Sequence, residues 1–368
     1  MLDRTLTRRQ LALSLAAPLA LGFPAPPLAR GDAADPPPAG SLTDVGGIRV
    51  GHFTDQRRPT GCTAILFDAP ANAGADYDGS APGESLGVML QPVSPLEQIH
   101  AILLTGGGPM ALGATAGVVR FLEERKVGYD WGVSNIRVPI VVGAVIDDLA
   151  IGDGHIRPGP DEAYRACESA SAGAVAEGSV GVGSGATVGK MLVGRGMPGM
   201  KGGLGTASVR LGDVVIAALA VANAAGDILE WRTGKIVAGA LAADGRGFAH
   251  TVDVLRRDLL ASPSARVPLA DEPLRATTLS VVATNVALDK TPLTKLAMMA
   301  NTGAARAINP YHTNGDGDQV LSVSTGTLKR EVPLTVLGAI AAEVLADAIA
   351  RAVTTATGVP GWKAARSL

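Results

Sequence analysis

A chain of 368 residues with 47% hydrophobic and 18% charged residues has apolar material for one large globular domain or two ordinary ones, which excludes a disordered protein. The formal net charge is −2 and no basic stripe with interleaved aromatics appears, which argues against a nucleic-acid partner. Aromatic residues make up only 3% while glycines number 47, a composition that predicts helices laid closely on sheets.

The chain opens with Thr7-Arg8-Arg9-Gln10-Leu11, paired arginines ahead of an apolar run from Leu11 to Leu21. Prolines from Pro24 to Pro27 and small residues near Ala29 and Ala33 follow. This reads as a twin-arginine-type signal peptide over residues 1–33, and a periplasmic protein is expected. The apolar run is too short and too Pro-broken for a stable membrane span. Residues 34–41 read as a linker, and the folded domain as 42–368.

Alternation predicts strands at Asp44 to Val50, Thr63 to Phe67 and Ile99 to Leu104, the last ending in Gly106-Gly107-Gly108. Helical spacing of Leu112, Val118, Val119 and Leu122 predicts a helix from Ala111 to Lys126. Strand material follows at Val138 to Val142 and Ala144 to Ile146, then a helix from Asp161 to Ala176. After a glycine-dense stretch, strands are expected at Ala207 to Arg210 and Val214 to Asn223. Ala242 to Glu272 is charged and poorly periodic, an exposed and partly helical connection. Thr277 to Thr284 is rich in β-branched residues and predicts a strand. A helix from Lys290 to Ile308, a strand from Val320 to Ser324 and an Ala-rich helix from Val336 to Ala356 complete the chain. Without regular βαβ alternation, this order favours sheets covered by helices over a doubly wound fold.

Several motifs fail on inspection. Gly181 to Lys190 has Ser184 where a phosphate loop needs its spacing kept, and Met191 where it needs Ser or Thr. Asn314-Gly-Asp316-Gly-Asp318 begins like a calcium loop but has Gln319 and Thr325 at the sixth and twelfth positions, which leaves a tight turn or a carboxylate placed by such a turn beside a catalytic group. The five histidines lack metal-ligand spacing, and neither Cys62 nor Cys167 has a CxxC neighbour. No metal and no cofactor is expected. There is no Gly-x-Ser-x-Gly elbow for a hydrolase serine.

Other segments carry more together than apart. They are Leu42 to His52, Gly61-Cys-Thr63, Asp147 to Pro158, Gly185 to Lys190, Met200-Lys-Gly-Gly-Leu-Gly-Thr-Ala-Ser208, Asn223-Ala-Ala-Gly-Asp227 and Thr277 to Thr284. In this order the set resembles the L-aminopeptidase/D-amidase/D-esterase family, which includes β-aminopeptidases and endo-type nylon-oligomer hydrolases. The stretch Asn309 to Asp318 resembles the nylon-oligomer branch. The resemblance implies a single-domain, four-layer α/β/β/α sandwich that cuts itself into two associated chains, 42–276 and 277–368. It implies a small peptide or amide substrate and a homo-oligomer, tetramer or larger. Position by position it makes Thr277 the nucleophile, Ala276 the residue before the cut, Lys190 the active-site lysine and Asn223 the oxyanion donor. Asn314 and Asp316 become the polar pair near the new amine. Three positions depart from the family pattern: Ala276 where Asn is common, Met110 where an aromatic is common, and Asn314 in place of an acidic or hydroxyl residue.

The chemistry suits these residue types. A threonine hydroxyl needs a base, and an N-terminal threonine carries one in its own α-amine, whose ordinary pKa is about 7.7–8.0. A nearby Lys190 ammonium would lower it, whereas Asp316 would orient the amine or pair with the lysine. The Asn223 amide would stabilise the tetrahedral oxyanion. Two further readings stay open: an acyl transferase of the ornithine-acetyltransferase kind, and a non-catalytic relative that binds small molecules.

Overall fold

The structure, a computed structural model, describes residues 40–261 and 276–368. The expected signal peptide, all but the end of the linker, and the later part of the 242–272 connection lie outside the described residues.

Eight principal strands form most of one continuous hydrogen-bonded ladder: β1 Ile48–Thr54, β2 Gly61–Asp76, β3 Gln98–Thr105, β4 Val141–Val145, β5 Gly203–Leu211, β6 Val214–Ala222, β7 Leu279–Val286 and β8 Gln319–Leu328. The order is β5-β6-β7-β8-β2-β3-β4, with the two-residue strand Glu84–Ser85 at the far edge and β1 against β2. Strand β2 joins the two halves. Its first part pairs with β1 and β3, its last part with β8, and its register with β3 shifts between Leu66 and Ala71.

Side-chain alternation turns this ladder into layers. Strand β6 sends Val215, Ala217, Leu219 and Val221 to one core and Ile216, Ala218, Ala220 and Ala222 to another, so both its faces are buried. The first set meets Ile65, Ile102, Leu104 and Val142 from the other half, forming the core between two sheets. The second set meets Leu293, Leu296 and Ala300 of one helix (α4) and Leu345, Ile349 and Val353 of another (α5). Helices α4 (Lys290–Ala307) and α5 (Leu334–Thr354) thus cover that sheet. On the opposite side α1 (Thr115–Glu124) and α2 (Pro160–Glu168) pack Val118, Phe121, Ala163 and Ala166 onto Cys62, Ala64, Ala101 and Leu103. Three cores between four layers make the fold an α/β/β/α sandwich. The abundant small residues permit this close stacking: a Cβ on Gly205 would strike the α5 backbone at Ala348 and Ala352. A further helix, α3, spans Thr251–Ala261 in the connection.

Two expected elements differ. The strand foreseen from Asp44 begins only at Ile48, because Leu42–Asp44 is a 3₁₀ turn in which Asp44 Oδ2 accepts the Ser41 N–H at 2.8 Å. The helix foreseen to Ala176 stops at Glu168, since Ser171 exchanges two backbone hydrogen bonds with Val50 at the sheet margin. Among the described residues no helix is long and apolar enough to cross a membrane.

Candidate active site

Strand direction assembles the site. Strands β7 and β8 run parallel, so their N-terminal ends lie side by side, and Ala276 bridges to Asp316 just ahead of the ladder. Strand β6 runs antiparallel to β7, which brings its C-terminal exit, Asn223, to the same edge. Thr277 therefore lies between the end of β6 and the start of β8. Its N–H donates to the Asn223 carbonyl at 3.0 Å. The next residue is held from the other side, where Thr278 N–H donates to Asp318 Oδ1 at 2.6 Å.

The carbonyl between Ala276 and Thr277 is held by two donors. Gly317 N–H reaches the Ala276 oxygen at 3.0 Å and Thr277 Oγ1 at 2.6 Å. Gly317 has no substitute here: a Cβ would lie 2.8 Å from Thr277 Oγ1 and 2.5 Å from the Ala81 carbonyl. Thr277 itself is 7% exposed.

Asn223 is fully buried, with its amide held at both ends. Oδ1 accepts the Thr187 N–H at 3.0 Å, and Nδ2 reaches the Asp147 carbonyl at 3.4 Å. That second contact is long and leaves Nδ2 donor capacity for another acceptor. Lys190 follows Gly189 in the left-handed region, and its neighbours Gly189 and Met191 donate to Gly226 and Ala225 of the turn that follows Asn223. Burial pushes its ammonium down to about 7, against the upward pull of Asp316, Asp147, Asp318 and Asp148.

Asp316 is 1% exposed. Its Oδ2 accepts from Thr313 N–H at 3.1 Å and Thr313 Oγ1 at 2.6 Å, while Oδ1 has no hydrogen-bond partner among the described residues. Desolvation and the neighbouring Asp318 raise its pKa, with Thr313 and Lys190 opposing. Asp318 Oδ2 accepts the His312 N–H at 3.2 Å, and His312 Nδ1 lies 3.5 Å from the same oxygen. Asn314 is exposed on the turn, apart from this cluster. Met110 is 60% exposed.

Sequence reasoning passed over four groups that the fold brings in. Asp318 and Gly317 stood in the quoted Asn-Gly-Asp-Gly-Asp turn. Arg58 and Asp148 form a buried ion pair at 2.6 Å that fixes the loop carrying Asp147. Lys201, in the Met-Lys-Gly-Gly motif, has no solvent exposure. Burial is what singles them out, and spacing along the chain cannot report it. Among the described residues no group of three or more His, Cys, Asp or Glu is placed to hold a metal.

The sequence matches Peptidase family S58 over residues 40–367. The chain belongs to this family. An uncharacterized aminopeptidase of Mycobacterium tuberculosis is 37% identical over 345 residues, covering 87% of this chain and 95% of the relative. A 6-aminohexanoate-oligomer endohydrolase of an Agromyces species is 32% identical over 320 residues, 84% of each chain. The fold is similar to that of a Burkholderia β-aminopeptidase, with TM-score 0.62 at 23% identity over 87% of this chain and 88% of that one. It is equally similar to the L-aminopeptidase D-Ala-esterase/amidase of Ochrobactrum anthropi, a variant of the Ntn hydrolase fold, with TM-score 0.62 at 22% identity over 86% of each. This S58 chain is a hydrolase of the aminopeptidase and amidase class with an Ntn-hydrolase-like fold.

Proposed function

We propose that this S58 chain is the precursor of an N-terminal-nucleophile amidohydrolase: Thr277 cuts the bond after Ala276, then hydrolyses peptide, amino-acid amide or oligoamide bonds. One observation carries the reading. The Ala276 carbonyl oxygen sits between Gly317 N–H and Thr277 Oγ1 at the junction of three strand ends.

In the uncut chain the Thr277 nitrogen is an amide and cannot serve as base. Lys190, held near pKa 7, supplies a neutral amine at neutral pH. It takes the Oγ proton as Oγ attacks the Ala276 carbonyl carbon, and Gly317 N–H steadies the oxyanion. The C–N bond breaks, Lys190 returns the proton to the leaving nitrogen, and an ester joins Ala276 to Thr277 Oγ. Water hydrolyses that ester, leaving an Ala276 carboxylate and a Thr277 with free amine and hydroxyl.

The same atoms then turn over substrate. The α-amine of Thr277 accepts the Oγ proton, and Oγ attacks the substrate carbonyl. Asn223 Nδ2 donates to the oxyanion, a contact of the kind worth about 3–4 kcal/mol. Asp316, with its free Oδ1, orients the amine, and Asp318 holds the backbone one residue on. The names of the relatives support amides and oligoamides as substrates. Residues 1–33 export the chain to the periplasm, and the mature two-chain unit assembles as a homo-oligomer.

N-terminal sequencing and intact mass of the purified protein test this. The wild type is expected to show a second N-terminus at Thr277, and Thr277→Ala a single uncut chain. Hydrolysis of amino-acid p-nitroanilides should fall on the order of 10⁴-fold or more in Thr277→Ala. A wild-type chain that is active and continuous through residue 277 overturns the proposal.

A further inference from the structure

Lys201 is among the largest fully buried side chains of the described residues, and the steps above make no use of it. Its Nζ donates to three backbone carbonyls: Gly183 at 2.8 Å, Ala186 at 2.9 Å and Gly202 at 2.9 Å. A neutral amine has two N–H donors and an ammonium three, so three acceptors at this distance specify the charged form. Burial opposes that charge and Asp148 supports it.

One of the three carbonyls leads to the active site. Ala186 C=O belongs to the same peptide group as Thr187 N–H, which donates to Asn223 Oδ1 at 3.0 Å. A continuous run results: ammonium to carbonyl, N–H of that peptide to the Asn223 amide oxygen, and Asn223 Nδ2 at the far end. Drawing electron density out of a carbonyl strengthens the N–H of the same peptide as a donor. In a buried chain of hydrogen bonds this polarisation accumulates. The run ends beside the nucleophile, because the Asn223 backbone oxygen accepts the Thr277 N–H.

We propose that Lys201 is a positioning residue for the oxyanion donor: its buried ammonium, acting through the Ala186–Thr187 peptide, aims and polarises the Asn223 side-chain amide. The inference rests on the reading of Asn223 as that donor. No proton moves along the run; its effect is to strengthen Nδ2–H where charge develops. The benefit is realised in the transition state, so it belongs in kcat and not in KM.

The test uses fully cut enzyme, verified by mass, and an amino-acid p-nitroanilide. Lys201→Met keeps the stem and removes the charge. It should lower kcat about 10- to 100-fold, less than loss of a whole oxyanion donor, with KM within about twofold. In an Asn223→Ala background the same substitution should change kcat less than about threefold, since its target is gone. Lys201→Gln keeps two N–H donors without the charge and serves where Lys201→Met does not fold. It should lower kcat to a similar extent, again with less than about threefold effect in the Asn223→Ala background. The relay is overturned by full kcat in Lys201→Met, by losses that multiply with Asn223→Ala, or by a raised KM at constant kcat. Full activity of Asn223→Ala would instead overturn the role of Asn223 itself.

Discussion

Two groups of charge lie near Asn223, and they are built to opposite rules. In one, Arg58 donates to the carbonyls of Ile156, Ile151 and Asp148 and to Asp148 Oδ1, at 2.6–2.8 Å. Asp148 in turn accepts from Thr60 Oγ1 at 2.7 Å and Gly107 N–H at 2.9 Å. In the other, around Lys190, Asp316, Asp318 and His312, the atoms Asp316 Oδ1 and His312 Nδ1 are buried without a hydrogen-bond partner among the described residues. A buried charge whose valences are all filled fixes backbone geometry. One with spare capacity can accept a new amine or a moving proton, and under the proposed function that contrast separates scaffold from chemistry.

The largest effect expected within this contrast is on maturation. Lys190→Met should slow appearance of the Thr277 N-terminus about 10²–10⁴-fold, the range for loss of a positioned base. Wild-type maturation should rise with pH through about 7, because the proton-accepting form of Lys190 is the neutral amine above its depressed pKa. The rise should be absent in Lys190→Met, as followed by gel or mass against time. The stability term has its own sign. Lys190 binds its proton less tightly folded than unfolded, so between about 7 and 10.5 its contribution favours folding increasingly as pH climbs. Lys190→Met should therefore fold at least as well as wild type. Normal maturation in this variant would put Lys190 with the scaffold and break the comparison.

The scaffold should respond in the reverse sense. Arg58→Met leaves the Asp148 carboxylate buried without its closest cation, an arrangement that typically costs about 3–5 kcal/mol. The loss should appear in urea unfolding of the uncut Thr277→Ala chain, where no second chain complicates the transition. A loss below about 1 kcal/mol would mean that the other cations coupled to Asp148, Lys201 and Lys190, carry the neutralisation.

How much of this was legible beforehand differs by region. The strand at Val214 was legible as a short unbroken apolar run with β-branched residues, and the helices from Lys290 and Val336 as longer runs, the last rich in alanine. Thr277, Lys190 and Asn223 were legible only as parts of an ordered motif set; a lone threonine in a β-rich run says nothing. The layering was not readable from periodicity, because strands buried on both faces lose the apolar-polar alternation that marks an inside. Arg58–Asp148 and Lys201 were invisible for a related reason. They act by burial against backbone carbonyls from distant segments, and carbonyls leave no trace in side-chain identity.

The smallest effect concerns Asn314, where local sequence and tertiary structure pull apart. The turn Asn314-Gly-Asp316-Gly-Asp318 offers three polar side chains within five positions, and the fold buries only two of them, from the point where Asp316 bridges to Ala276. Asp316 and Asp318 are each 1% exposed, while Asn314 faces solvent and its side chain makes no hydrogen bond among the described residues. Asn314→Ala should leave maturation unchanged and kcat/KM for a p-nitroanilide within about twofold, since surface changes away from buried networks are usually within about 0.5 kcal/mol. A tenfold loss in kcat/KM with normal maturation would place Asn314 against the bound substrate. The chemistry would then extend beyond the buried carboxylates to the rim of the turn.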